Sequence, residues 1–289
     1  MFPAEERLRA ALAGEPGLVV GLTFVPPEAF EGLRLESRRA PALVAAACSR
    51  IRPDFAFVPA SEVWAAEAVD KIGECGVAAV WAVDGPFGRV AAREGWSETL
   101  RDTAARPTEL SGKLYAQMPA ILEEIRRGVR LGVAAIAIAD DLAGSQGPLM
   151  PPDFVLDELM PKYSVFAEEA ALGAVPSIFH SDGDMRPFVP ALRRAGFSAV
   201  HSGGLTPETF EALLELARGH ELRVVGGLSS AILDTGGPQV MVHANRAAAM
   251  ASEGGLLVAD DGGIVSSEQV GWLVTALQTV RDFDRKGSE

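Results

Sequence analysis

Eight times along this 289-residue chain a short apolar run is followed by a polar loop and then a stretch with helical spacing. Strands that alternate with helices build a parallel sheet, because each crossover carries the chain back across one face. The apolar runs are Leu18–Phe24, Phe55–Val58, Ala78–Val83, Ala134–Ala139, Pro176–Phe179, Ala199–Val200, Arg223–Val225 and Leu256–Ala259. The helical stretches between them are Ala40–Ser49, Ser61–Glu74, Lys113–Leu131, Pro152–Leu172, Arg186–Ala195, Pro207–Arg218, Pro238–Ser252 and Glu268–Asp282. Eight such units are what a closed (β/α)₈ barrel requires, and the length suits one barrel of about 250 residues plus extensions. We therefore expect an α/β fold with a single (β/α)₈ (TIM) barrel over residues 1–289, and residues 1–17 as an N-terminal helical extension. No glycine-rich dinucleotide or P-loop motif follows the first strand, which argues against an open doubly wound sheet.

Local punctuation supports the register. Leu131-Gly132, Leu172-Gly173 and Ala195-Gly196 each end a helix ahead of a strand, where glycine accepts a left-handed cap. Thr206-Pro207 reads as a helix start with proline in the first turn. Ser61, Asp153 and Asp184 read as ordinary caps.

Charge and cysteine content narrow the partners. A net charge of −13 repels phosphate backbones, so nucleic acid is not an expected partner. No apolar run approaches the roughly 18 residues a membrane span needs. The two cysteines, Cys48 and Cys75, form no C-x-x-C pair, as befits reduced thiols in a cytoplasmic protein.

A barrel does its chemistry at the carboxyl ends of its strands, so the residues just past each apolar run are the ones to examine for function. Asp84 comes after the third, Asp140 and Asp141 after the fourth, and His180, Asp182 and Asp184 after the fifth. His201 and Ser202 come after the sixth, Ser229 and Ser230 after the seventh, and Asp260 and Asp261 after the eighth. The opposite turns carry mostly glycine, alanine and proline. Any one of these aspartates is more often a cap than a catalyst; the convergence on one face carries the inference. His180-Ser181-Asp182 is the densest group. Alternate residues of an extended strand face the same way, so His180 and Asp182 suit a divalent metal or an acid–base pair. The long segment from Asp84 to Gly112 reads as a loop that could cover the site, with Arg89, Arg93 and, further on, Arg186 suited to a carboxylate. His220 and His243 read as surface or packing residues.

The stretches ADDLAGSQGPLMPPDF (139–154) and VPSIFHSDGDMRPFVPALRRAGFSAVH (175–201), with Gly226-Gly227 and GGLLVADDGGI (254–264), resemble the uroporphyrinogen decarboxylase superfamily, which includes corrinoid-dependent methyltransferases. The resemblance runs from about Arg52 to the C-terminus. It implies a (β/α)₈ barrel. In the methyltransferase branch it implies a zinc site on a His-x-Cys pair after the fifth strand and a cysteine near the eighth. This chain has His180-x-Asp182 and, at the later position, Asp261-Gly262, so the implied site becomes an oxygen-rich one of His180, Asp182 and Asp261 for Zn²⁺ or another divalent ion. In the decarboxylase branch the catalytic aspartate corresponds to Asp84, but the arginine-rich N-terminal signature of that branch does not occur before Phe24.

The leading reading is a corrinoid-linked methyltransferase or demethylase acting on a small methylated substrate, with the corrinoid supplied by a partner protein. His180, Asp182, Asp84 and Asp140 are its catalytic candidates, and Asp141, Gln146, Arg89, Arg186, His201 and Ser202 its substrate-binding candidates. Decarboxylation of a porphyrinogen-like substrate, and a non-catalytic barrel that binds a tetrapyrrole or a partner protein, are the alternatives. Homo-oligomerisation stays open.

Overall fold

The computed structural model describes residues 3–24 and 38–287. Its centre is a parallel eight-stranded sheet in which neighbours in sequence are neighbours in space. The strands are β1 (Gly21–Leu22), β2 (Phe55–Pro59), β3 (Ala78–Asp84), β4 (Ala135–Ala139), β5 (Ser177–Asp182), β6 (Ala199–Gly203), β7 (Arg223–Leu228) and β8 (Leu256–Asp260). A parallel bridge between Val20 and Val258 brings the first strand against the last, and the sheet becomes a (β/α)₈ barrel. The first strand is much shorter than the apolar run Leu18–Phe24 predicts. Among the described residues no helix is long and apolar enough to cross a membrane.

Alternation along each strand sorts the side chains. Phe55, Phe57, Ala78, Val80, Ala82, Ala135, Ala137, Ile178, Ala199, Val225 and Leu257 make one buried cluster inside the barrel. Two phenylalanines among so many alanines fill the interior by pairing large with small. A Cβ on Gly21 would lie 2.0 Å from the Phe55 ring, so the bulk of Phe55 occupies the space a side chain on β1 would need. The alternate residues, such as Trp81, Ile136, Phe179 and Val258, face the helices and join the larger outer core.

The chain before β1 forms α1 (Ala4–Ala13). Its Leu8 and Leu12 belong to the interior cluster, so α1 closes the amino end of the barrel. Arg7 pairs with Asp54, and Arg9 donates to the carbonyls of Ala174 and Val133 at 3.0 and 3.2 Å. These bonds tie the helix to the turns beneath the sheet.

Three helical details differ from expectation for physical reasons. Gly132 and Gly196 take the left-handed caps with φ of 74° and 99°, but after the helix that ends at Leu172 it is Ala174, φ 56°, that does so. Gly173 is needed there for room, because a Cβ on it would lie 2.5 Å from the Val129 side chain. The expected helix over Pro152–Leu172 is broken by a π turn at Val155–Leu159 before α-helix resumes at Met160. Pro161 lacks the N–H that would bond back to the Asp157 carbonyl, and widening the preceding turn accommodates its ring. Ser61 starts no helix; the regular turns begin at Ala65 with no side-chain cap.

The interior pairing has a measurable consequence. Phe55→Ala is expected to cost about 3–5 kcal/mol of stability, because the alanines and glycine around it cannot move in to fill the void; chemical denaturation of the two proteins checks this.

Candidate active site

The register of the parallel ladder sets one row of side chains at the carboxyl end. Asp84 of β3 pairs with Ala139 of β4, Ala139 with His180 of β5, and His180 with His201 of β6. All four point inward. Ala139, the smallest of them, leaves open space between Asp84 and His180. Above it lies a cleft of about 570 Å³ whose walls include Asp84, Arg89, Arg93, Trp96, Gln117, Asp141 and His180.

The cleft wall over β3 corrects the reading of residues Asp84 to Gly112 as a long loop. That segment is three short helices, α2 (Pro86–Glu94), α3 (Trp96–Ala105) and α4 (Pro107–Tyr115). Asp140 anchors the first of them. Its carboxylate accepts from the amides of Phe87 at 2.9 Å and Gly88 at 2.6 Å, and from the Tyr163 hydroxyl at 2.8 Å. Side-chain acceptors at a helix N-terminus satisfy amides that lack intrahelical partners. A Cβ on Gly85 would stand 2.3 Å from Asp140 Oδ2, so glycine is required there. Burial pushes Asp140 up to about 7, against the pull of those three donors. The predicted catalyst is thus fully engaged with the scaffold. Arg89 lines the cleft, but its guanidinium donates to the Asp84 carbonyl at 2.8 Å and to Glu124 at 2.5 Å. Arg93 has no ion pair among the described residues and is the basic group left for a ligand. Asp84 is raised, chiefly by loss of surrounding water, while neighbouring Arg89 lowers it.

Asp141, His180 and Asp182 come together. One potential ligand atom from each lies within 4.8 Å of the others, and the Asp182 amide donates to Asp141 Oδ1 at 3.0 Å. The third member implied by the family resemblance was Asp261. It is Asp141, not Asp261, whose carboxylate lies with His180 and Asp182; Asp261 accepts from the Ser230 amide at 2.7 Å and stands outside that group. Burial and the nearby charges of Asp141 and Asp261 push Asp182 up to about 6. Room for the Asp182 carboxylate comes from Gly203, where a Cβ would lie 2.2 Å from its Oδ1.

Behind this group His180 Nδ1 meets His201 Nδ1 at 2.7 Å, and His201 Nε2 lies 3.1 Å from the Asp260 carbonyl oxygen. Burial lowers His180 to about 4, and burial with the adjacent His180 lowers His201 to about 3. Both imidazoles are therefore neutral at ordinary pH. His201 is wholly buried and does not reach the cleft, so it is not placed to touch substrate. Phe24, two residues past β1 with φ of 33°, sets its ring 5.8 Å from His180, a contact the sequence did not signal.

The remaining candidates serve the framework. Ser202 donates to the Gly183 carbonyl at 2.5 Å. Arg186 binds Asp184 through two nitrogens, at 2.8 and 2.6 Å; Asp184 also accepts from the Arg186 amide at 3.1 Å, although the N-cap position of the short turn is Met185 rather than Asp184. Gln146 is exposed at the tip of a small hairpin, Ala143–Gly144 against Gly147–Pro148, for which the residue pattern gave no sign. Gly183, φ 84°, admits the hairpin: a Cβ there would lie 2.5 Å from the backbone of Ala143 and Gly144. His243 accepts from the Ser229 amide at 3.2 Å.

No protein-family model matches the chain, and no curated protein matches it. Solved structures do. A methyltransferase from Methanosarcina mazei superposes with a TM-score of 0.76 at 20% identity, over 98% of this chain and 100% of that one. A D-allulose 3-epimerase from Methylomonas sp. in complex with D-allulose gives 0.60 at 12%, over 94% and 99%. D-psicose 3-epimerase with D-tagatose from Clostridium cellulolyticum H10 gives 0.55 at 12%, over 93% and 99%. At these identities the likeness is one of fold.

Asp260 gives a pH prediction. Its carboxylate is fully buried, accepts from the Thr23 amide at 2.7 Å and from the Thr23 hydroxyl, and is pushed by burial up to about 7. An unfolded aspartate titrates near 3.9, so the native state holds the proton more tightly. The stability tied to that proton is fully present below about pH 4 and is lost as pH rises through about 7. Asp140 and Asp182 contribute with the same sign. In Asp260→Asn the fall in melting temperature between about pH 5 and pH 7.5 is expected to flatten, and an unchanged slope would show that Asp260 does not carry it.

Proposed function

We propose that this chain is a barrel enzyme that removes a methyl group from a small substrate and passes it to a corrinoid carried by a partner protein, using a divalent metal held by Asp141, His180 and Asp182. The observation that carries the reading is the convergence of those three ligand atoms, within 4.8 Å of one another, where Asp141 and His180 line the cleft. The donor set fits: one imidazole and two carboxylates suit zinc and other borderline divalent ions. Engagement of His180 Nδ1 with His201 leaves Nε2 for the ion, and a ligating imidazole ordinarily has its other nitrogen held in this way. The full-length likeness to a methyltransferase barrel supports the assignment. So does the resemblance of the segments around Asp141 and His180 to the uroporphyrinogen decarboxylase superfamily.

When bound, the metal supplies Lewis acidity to the substrate heteroatom that carries the methyl group. The chain's own residues do the rest. Trp96 and Gln117 flank the substrate, and Arg93 holds any carboxylate it bears. Asp84, across the gap left by Ala139, delivers a proton to the heteroatom as the carbon–heteroatom bond breaks and the bonding pair stays on that atom. A corrinoid brought by the partner would act as the methyl acceptor and would supply the electron pair for the new bond to carbon.

A decarboxylase of a porphyrinogen-like substrate is the second reading, favoured by Asp84 facing the cleft beside Arg89 and Arg93. The two separate cleanly. In the methyltransferase reading the purified protein takes up about one zinc per chain, Asp141→Ala and His180→Ala each weaken zinc at least about tenfold, and methylcobalamin forms from cob(I)alamin and a methyl donor. Failure to bind zinc in competition with a chromogenic chelator would defeat the metal assignment. Uroporphyrinogen consumption that is lost in Asp84→Asn would favour the decarboxylase instead. For a carboxylate-bearing substrate, Arg93→Ala is expected to raise KM about tenfold or more with kcat little changed, and Arg93→Lys to recover part of that loss.

A further inference from the structure

We infer that His201 is a positioning residue: with the Asp260 carbonyl it holds His180 in the tautomer whose proton sits on Nδ1, so that the nitrogen left for the cleft, Nε2, always carries a lone pair.

Donors and acceptors alone fix the proton. A backbone carbonyl oxygen only accepts, so the 3.1 Å contact between His201 Nε2 and the Asp260 oxygen places a proton on Nε2. A neutral imidazole has one N–H, which leaves His201 Nδ1 as an acceptor. The His180 Nδ1 that lies 2.7 Å from it must then be the donor, and the lone pair of His180 is on Nε2. The opposite polarity would need His201 as an imidazolium, wholly buried in the barrel. No described carboxylate is hydrogen-bonded to it, and a charge so placed is costly.

Ring geometry agrees. The two rings are 24° from parallel with centroids 4.8 Å apart. That separation exceeds the 2.7 Å between nitrogens by about the sum of two ring radii. The rings therefore meet edge to edge in nearly one plane, along the direction of the lone pair, as a hydrogen bond requires. Phe57, 5.7 Å from His201, and Phe24, 5.8 Å from His180, close around the pair. The register that pairs His180 with His201 across β5 and β6 makes the contact a product of the ladder.

The consequence is a site with a fixed sense. His180 offers the cleft an acceptor and never a donor, so what it binds is a Lewis acid or an N–H or O–H group. A bare heteroatom would find no proton there, which is why the proton for a leaving group is assigned to an aspartate. The tautomer stands whatever the reaction; only its use in holding a metal rests on the metal reading above.

The chain has four histidines, so isotope labelling and long-range proton–nitrogen NMR read each imidazole in the full-length protein. In the unaltered protein at about pH 7, His180 is expected to show a protonated Nδ1 and a bare Nε2, and His201 the reverse. A protonated Nε2 on His180, or an imidazolium at either residue, overturns the inference without any variant. His201→Phe keeps the bulk and removes the acceptor; His180 is expected to lose its single tautomer. His201→Asn restores an acceptor near the Nδ1 position and is expected to restore the tautomer. An unchanged His180 pattern in His201→Phe also overturns it. Zinc affinity adds a second readout, expected to fall about 10–100-fold in His201→Phe and to recover in His201→Asn. If the NMR pattern holds and zinc does not bind, the metal reading fails and the positioning role stands.

Discussion

The parallel ladder through β3, β4, β5 and β6 sets Asp84, Ala139, His180 and His201 at one level, and everything at the mouth of the barrel depends on that level. A slip of one residue would turn each of these side chains to the opposite face. The packing beneath holds the register. Phe55 and Phe57 fill a bore otherwise lined by alanine and small aliphatics, and α1 closes the lower end. A strand cannot slide without driving a phenylalanine into the space of its neighbours, and close-packed interiors resist that strongly.

Acidic residues do two kinds of work at this end. Asp140, Asp184, Asp260 and Asp261 each accept from backbone amides; they fasten the strand ends to the helices and loops above. Asp141 also accepts from the Asp182 amide but lies with Asp182 beside His180, and Asp84 and Asp141 line the cleft. Gathering so many carboxylates where water is partly excluded raises several of their pKa values. It costs the fold stability as they ionise. Such crowding is characteristic of sites whose groups are placed for a ligand.

Much of this was legible in the residues. The eight apolar runs located the strands, and the asymmetry between polar carboxyl ends and glycine-rich amino ends located the face where acidic and histidine side chains gather. His180 and Asp182 could be grouped because alternate strand residues share a side. By sequence Asp140 falls among the catalysts and Asp141 among the substrate-binding residues, but neighbours after a strand point in opposite directions, and which of them anchors the helix at Phe87 and Gly88 depends on where the strand stops. The helices between Asp84 and Gly112 were hidden by Gly95, Arg106 and the proline that follows it, which break the segment into pieces too short to show a period. Asp261 was implied as a third member by the family resemblance, but it accepts from the Ser230 amide and lies outside the group of Asp141, His180 and Asp182.

By itself the amino-acid sequence determined the barrel, its direction and the strand ends where the acidic and histidine residues gather, because hydrophobic spacing and turn residues act over a few positions. Only the tertiary structure decided that Asp141 rather than Asp261 joins His180 and Asp182, that Asp140 anchors a helix, and that His201 stands behind His180. Those outcomes turn on register between strands separated by tens of residues and on which amide reaches which carboxylate, and no local pattern encodes either.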